Sequence, residues 1–97
     1  MDDNKDANEN EDSYTRESVK ESISEIACNM FAIGETDKQN FEELELKEDV
    51  LCDALDIMEL VMNLEDEFGI MISEEESEKI ETFGDCIDIV CRKLGVK

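Results

Sequence analysis

The chain has 97 residues, enough for one small domain, and its 40% apolar residues are sufficient for a hydrophobic core. It carries 29 Asp and Glu but only 9 Lys and Arg, which gives a formal net charge of −20. This charge repels nucleic-acid phosphates and favours basic protein surfaces, so it argues against nucleic-acid binding and for protein partners. Solubility alone is a sufficient explanation for about half of these carboxylates.

The first 14 residues read MDDNKDANENEDSY and contain no Val, Ile, Leu or Phe. Such a stretch cannot bury enough apolar surface to offset the entropy lost on ordering. Residues 1–14 are therefore predicted to be a disordered acidic tail, and residues 15–97 a helical bundle. A solvated leader is the simpler role for the tail, and an acidic interaction arm is the alternative.

The first helix is predicted to start with Thr15 as N-cap and to end at Gly34 as C-cap. Its apolar residues recur with helical spacing on one face: Val19, Ile23, Ile26, Ala27 and Met30. A long connector follows and is expected to contain a short turn of helix. Four apolar side chains are predicted to hold it against the core: Phe41, Leu44, Leu46 and Val50.

The second helix is predicted to begin at Asp53 as N-cap and to end at Phe68, just before Gly69. One apolar stripe is expected to face the core: Ile57, Leu60, Val61, Leu64 and Phe68. A second apolar group lies away from that stripe: Leu55, Met58 and Met62. Acidic residues border it: Glu59, Glu65 and Asp66. The pattern predicts an exposed apolar patch surrounded by carboxylates.

Two further helices complete the prediction. Ser73 and Glu76 have the spacing of a capping box for a short helix that ends near Ile80. The last helix is expected to run from Thr82 to Gly95. Its apolar face comprises Phe83, Ile87, Val90, Cys91 and Leu94. The predicted fold class is all-α: a four-helix bundle with a long first loop and a short third helix.

Histidine and the sequence motifs typical of enzymes and metal sites are missing from the sequence. The chain has no histidine, no Gly-rich phosphate loop and no nucleophile motif, so we expect it not to be an enzyme. No segment fits a calcium-binding EF-hand loop, and the four cysteines form no CxxC pair that would suggest zinc. These cysteines are expected to be small buried hydrophobes in a reducing cytoplasm: Cys28, Cys52, Cys86 and Cys91. The sequence shows neither a signal segment nor a membrane span.

Charge is unevenly distributed along the chain. No basic residue lies between Lys47 and Lys79, an interval that holds 12 Asp and Glu. A merely solvated surface usually mixes both signs of charge. The pattern therefore favours a partner-binding surface on and around the second helix over a plain solvated face.

Three segments read, in order, DALDIMELVMNLEDEF (residues 53–68), IMISEEE (70–76) and TFGDCID (82–88). They resemble the acyl carrier proteins of fatty acid and polyketide synthesis. The best-known block of that family is close to DSLDxVELVMxLEEEF, followed by an I-x-I-x-D/E-E loop and a T-x-G-D-x-I-D segment. With the first helix included, the resemblance covers about 80 residues, everything but the tail.

The resemblance implies a carrier that acts through docking. In the family, the serine after the first Asp of the block bears a 4′-phosphopantetheine arm, which a phosphopantetheinyl transferase adds from coenzyme A. Acyl chains are held on the arm as thioesters, and partner enzymes bind through basic patches. The implied attachment site here comprises Asp53, Ala54 and Leu55. The implied docking positions are Asp53, Leu55, Asp56, Met58, Glu59, Met62, Glu65 and Asp66.

This chain departs from the family at the attachment position itself. Ala54 stands where the family has its serine, and alanine has no hydroxyl to which an arm could be attached. The nearest serine in the bundle is Ser73, beyond the far end of the helix. Leu51 stands where the family usually has glycine. Two explanations for Ala54 remain open: an introduced Ser-to-Ala change, or a natural paralogue that lost its cargo.

The expected function is that of an acyl carrier protein in fatty acid, polyketide or related lipid biosynthesis, in a form that cannot be phosphopantetheinylated. The expected partners are the phosphopantetheinyl transferase and the synthase enzymes, with no nucleic acid and no membrane. The expected state is a cytoplasmic monomer. The alternative is a natural interaction module or scaffold that carries no cargo. A nucleic-acid mimic is suggested by charge alone.

Overall fold

The structure, a computed structural model, describes residues 14–34 and 39–96. These residues contain one 3₁₀ helix, Phe41–Glu43, and four α-helices: α1 Arg16–Met30, α2 Ala54–Phe68, α3 Glu74–Glu78 and α4 Phe83–Leu94. The all-α class, the long connector between α1 and α2 and the short third helix are thereby confirmed. The connector also contains the expected short turn of helix.

The predicted tail falls almost entirely on residues 1–13, which lie outside the described residues. Tyr14, the last residue assigned to that tail, is half-buried. Its ring packs edge-on against Phe68, with the ring centroids 5.8 Å apart. Tyr14 therefore covers part of the core where α2 ends.

Each of the four helices starts with a capping box at its predicted N-cap. In α1, Thr15 Oγ1 accepts a hydrogen bond from the Ser18 N–H at 3.1 Å, and Ser18 Oγ accepts one from the Thr15 N–H at 3.0 Å. The same reciprocal arrangement starts the other three helices, whose N-caps are Asp53, Ser73 and Thr82. Because a capping box satisfies amides that the helix itself leaves without partners, it fixes where each helix begins.

The prediction that α1 ends at Gly34 is wrong. The helix ends at Met30, and Phe31 is its C-cap, in an extended conformation with φ −130° and ψ 157°. The Phe31 N–H donates to the Ala27 carbonyl at 2.7 Å. The half-buried Phe31 side chain packs against the core. Packing of this ring therefore ends the helix before the glycine. By contrast, α2 and α4 end as predicted at Gly69 and Gly95, which have positive φ.

The predicted apolar faces meet in one core. Of the predicted stripes, the residues that are buried in α1 and α2 are Val19, Ile23, Ala27, Leu60, Val61, Leu64 and Phe68. Ile26, Met30 and Ile57 are half-buried at its edge. In α4, Phe83 stacks on Phe41 of the connector, with ring centroids 4.4 Å apart. The connector is therefore part of the core, as its apolar residues predicted.

Backbone pairing fixes the connector against the start of α4. The Leu46 N–H donates to the Glu81 carbonyl at 2.9 Å, and the Phe83 N–H donates to the Leu44 carbonyl at 3.1 Å. Close by, a Cβ on Gly84 would lie 2.7 Å from the Glu42 carbonyl oxygen. Glycine at this position therefore allows the connector and α4 to approach closely.

Ion pairs join the same elements at the surface. The Arg16 guanidinium at the start of α1 donates to Glu42 at 2.8 Å and to Asp88 of α4 at 2.7 Å. The hydrogen bond from Arg16 lowers the pKa of Glu42. On α3, Glu76 pairs with Lys93 of α4 at 2.9 Å. Basic residues of α1 and α4 are thus engaged in holding the bundle together.

Glu76 makes stability depend on pH. Its carboxylate accepts a hydrogen bond from the Ser73 N–H and one from Lys93, and together these hold its pKa at about 2 instead of 4.5. A lowered pKa stabilises the fold above the ordinary pKa, and this contribution is lost as the pH falls through the folded-state value.

We expect the isosteric variant Glu76→Gln to be less stable than the parent at pH 7. The difference should be fully present above pH 4.5 and vanish as the pH approaches about 2. Urea unfolding of both chains across this range measures it, and a difference that does not change with pH would contradict the assignment.

Candidate docking surface on α2

The backbone just before α2 has an unusual conformation at Leu51. Leu51 has φ 64°, in the left-handed region. The next N–H, that of Cys52, donates to the Leu46 carbonyl at 2.8 Å and closes the loop. Cys52 is buried, whereas Leu51 is 77% exposed. Cys52 thus contributes to the core, Leu51 lies in solvent, and Asp53 follows as the N-cap of α2.

Two carboxylates cap α2. Asp53 Oδ1 accepts from the Asp56 N–H at 2.9 Å, and Asp56 Oδ2 accepts from the Asp53 N–H at 3.2 Å. Both negative charges lie at the positive end of the helix dipole, where they are stabilising. Ala54 is the first residue of the helix and is exposed. The predicted attachment position is thus accessible at a helix N-terminus, but it presents only a methyl group.

The predicted apolar patch is exposed. Leu55, Met58 and Met62 are 72%, 59% and 60% exposed, whereas the core-facing residues of the same helix are buried. Single exposed apolar residues are common on protein surfaces, but three on the same helix form a patch that a partner can cover. Methionine side chains adapt well to different partner surfaces because they are flexible and polarisable.

The predicted acidic residues of α2 differ in what they do for the fold. Glu59 and Asp66 are exposed. Glu65 is half-buried, and its Oε2 accepts a hydrogen bond from the Ile72 N–H at 2.8 Å, which ties α2 to the loop before α3. Asp53 and Asp56 form the capping box. All predicted site residues thus belong to α2 or its N-cap, but Glu65, Asp53 and Asp56 also have structural roles.

Sequence reasoning missed two exposed apolar residues. The sequence pattern predicts exposure for neither Leu51 nor Met71. They are 77% and 79% exposed. A signal for Met71 existed, because Ile72 is buried and Ile70 packs against the core, so the residue between them points outward. Leu51 gave no comparable signal, since its exposure results from the positive φ.

The cysteines behave as small hydrophobic side chains. Cys52, Cys86 and Cys91 are buried and Cys28 is half-buried, all as free thiols. Burial raises the pKa of Cys86 to about 12. Among residues 14–34 and 39–96, no three His, Cys, Asp or Glu side chains are placed to hold a metal ion. None of the helices in that part of the chain is both long and apolar enough to cross a bilayer.

An open cleft lies between α1 and α2. Its volume is about 300 Å³, and it is lined by Ile26, Asn29, Met30, Asn63, Asp66 and Glu67. The Asn63 side-chain amide donates to the Met30 sulfur at 3.2 Å across it. Asn63 is nine positions after Ala54, which corresponds to roughly 14 Å along the helix. The cleft is therefore well separated from the attachment position.

Comparison with known proteins agrees with this geometry. No family model matches the chain. The chain is 35% identical over 81 residues to the acyl carrier protein of Thermotoga maritima, a match that covers 84% of this chain and 98% of that protein. The chain belongs to the acyl carrier protein family. Its fold is also similar to a solved structure of the acyl carrier protein from Enterococcus faecalis, with a TM-score of 0.70 and 38% identity over 82% of this chain and 99% of the other.

Acyl carrier proteins are carriers and not themselves enzymes, and they interact with synthases and transferases. A member of this family needs a surface that other proteins can bind, and the exposed side chains of α2 are a candidate for it. The prosthetic group of the family, 4′-phosphopantetheine, needs an oxygen atom for attachment. The side chain at position 54 supplies none, so this position does not fit that group.

Two carboxylates of α2 are expected to differ in their contribution to stability: Glu65, which accepts a hydrogen bond from the Ile72 N–H, and the exposed Glu59. Glu65→Ala removes the acceptor of the Ile72 N–H and is expected to lower the free energy of unfolding by about 1–2 kcal/mol. Glu59→Ala is the matched control, since Glu59 is exposed six residues earlier on the same helix, and it should change that free energy by less than about 0.5 kcal/mol. Urea unfolding measures both variants. Equal losses would show that the contact with Ile72 contributes nothing specific.

Proposed function

We propose that this chain performs the docking role of an acyl carrier protein of fatty acid, polyketide or related lipid biosynthesis, in a form that cannot receive the phosphopantetheine arm. The observation that supports the proposal best is the surface of α2. There, exposed apolar and acidic side chains surround an accessible position 54 that has no hydroxyl. The carrier role is to present thioester-linked acyl chains to the enzymes of the pathway, and the Ala54 form keeps the docking part of that role without delivering a substrate.

The missing hydroxyl has no substitute nearby in the sequence. Residues 39–72 contain no serine, threonine or tyrosine. The next serine, Ser73, is the N-cap of α3, and its Oγ accepts a hydrogen bond from the Glu76 N–H at 3.0 Å. Ser73 therefore lies past the opposite end of α2 from Ala54 and already has a role in the fold.

Charge supports docking to basic surfaces. The interval from Lys47 to Lys79 holds 12 carboxylates and no basic side chain between its ends. Oppositely charged surfaces accelerate encounter, and the effect weakens as salt screens it. The proposed partners are the phosphopantetheinyl transferase and the synthase enzymes, which would bind α2 through Lys and Arg. The chain is proposed to act as a monomer.

A second candidate function is a natural interaction module that has kept the docking surface and lost the cargo. It is favoured by Leu51, a second departure from the family pattern close to Ala54, which a single introduced change would not explain. The two candidates predict different masses for the protein isolated from its natural source. A phosphopantetheine adduct indicates a serine at position 54 and supports the carrier. An unmodified mass that matches Ala54 indicates the module.

Restoring the hydroxyl tests the carrier proposal. Ala54→Ser places an Oγ at the start of α2, where the free N–H groups and the helix dipole favour a phosphate. We expect a phosphopantetheinyl transferase with coenzyme A and Mg²⁺ to add one phosphopantetheine group to this variant, as measured by intact mass. The parent chain should remain unmodified.

Met71→Ser is the matched control, because it places a hydroxyl on an exposed residue past the far end of α2, outside the proposed docking positions. With Ala54 retained, it should not be modified. A folded Ala54→Ser chain that stays unmodified would refute the carrier proposal. Equal modification of Met71→Ser would show that the modification is not specific to position 54.

A further inference from the structure

Leu51 is an outlier in two independent respects. Among the residues that the structure describes, it is the one non-glycine residue with positive φ, at 64°. It is also 77% exposed, so its side chain gains little from burial. Side chains with a Cβ disfavour the left-handed region, whereas glycine adopts it freely. Glycine would thus relieve the backbone strain and remove an exposed apolar group, so the stability of the fold does not explain leucine here.

Strain of this kind is typical of functional sites, where the surrounding structure maintains it. Here the maintaining contacts are visible: the Cys52 N–H bonds the Leu46 carbonyl, and Asp53 caps α2. Leu51 lies two residues before this cap and four residues before Leu55, an exposed apolar residue of α2. Leu51 therefore extends the exposed apolar set beyond the end of the helix.

We infer that Leu51 is an anchor residue for a protein partner, and that it inserts into an apolar pocket rimmed by Lys and Arg. The inference rests on the proposed docking function of α2 and adds to it a contact outside that helix. Charge complementarity identifies the chemistry of the partner. The exposed apolar residues lie between Lys47 and Lys79, an interval that holds 12 Asp and Glu and no basic residue. A few residues commonly carry most of the binding energy of an interface, so the contribution of a single side chain is measurable.

The same charge argues against other occupants of this surface. A second copy of the chain would bring an identical acidic surface against the first, and like charges in contact disfavour association. Anionic lipid surfaces repel a chain with a net charge of −20 for the same reason. A basic protein surface is the occupant that both the apolar and the acidic residues fit.

The test uses a probe of the inferred chemistry, a synthetic amphipathic helix of leucine and lysine, and calorimetric titration of the full chain. Leu51→Gly and Leu51→Ala should both weaken binding by about tenfold. Only Leu51→Gly relieves the strained backbone, so it alone should raise the Tm, by about 4 °C. Met71→Ala is the matched control, since Met71 is equally exposed but follows the far end of α2. It should bind the probe as the parent does.

Parent-like binding of both Leu51 variants would overturn the inference, and so would an equal loss of binding in Met71→Ala. Binding of the parent to phosphatidylcholine vesicles that depends on Leu51 would overturn the assignment to a protein partner. The assay needs no phosphopantetheine transfer. If Ala54→Ser is modified while the Leu51 variants bind normally, only the anchor inference fails. If Ala54→Ser stays unmodified while binding still depends on Leu51, only the carrier proposal fails.

Discussion

The start of the exposed surface depends on the capping box that Asp53 and Asp56 form at the N-terminus of α2. The hydrogen bond from the Cys52 N–H to the Leu46 carbonyl holds the residues before this cap, and the pairing of Leu46 with Glu81 fixes the connector from which they come. Within this arrangement Leu51 has a φ of 64°, and α2 begins with Ala54 in solvent.

Charge is divided between two parts of the molecule. Basic residues of α1 and α4 pair with acidic residues across the bundle: the pairs include Arg16 with Glu42 and Asp88, Lys20 with Glu42, and Lys93 with Glu76. Each such surface pair contributes little to stability, typically less than about 1 kcal/mol. None of the pairs just named involves α2, whose own sequence contains no basic residue. Exposed carboxylates of α2 such as Glu59 and Asp66 can therefore attract a basic partner, while its buried apolar face holds the helix in place.

Local signals in the sequence predicted most of this fold. The N-caps Thr15, Asp53, Ser73 and Thr82 act on amides within three residues, so their roles can be read without the tertiary structure. The separation of the core stripe of α2 from its exposed patch follows from helical periodicity alone. The end of α1 is not predictable in this way, because packing of Phe31 against the core overrides the signal of Gly34. The exposure of Leu51 likewise depends on a backbone conformation that leucine does not favour.

The central claim is that α2 is a docking surface that remains intact although position 54 has no hydroxyl. Titration of the isotope-labelled chain with a phosphopantetheinyl transferase, followed by NMR of the backbone amides, tests it most directly. The account predicts chemical-shift changes concentrated between Leu51 and Asp66 that diminish as salt is added. Shift changes confined to α1 and α4, or none at all at low salt, would contradict it.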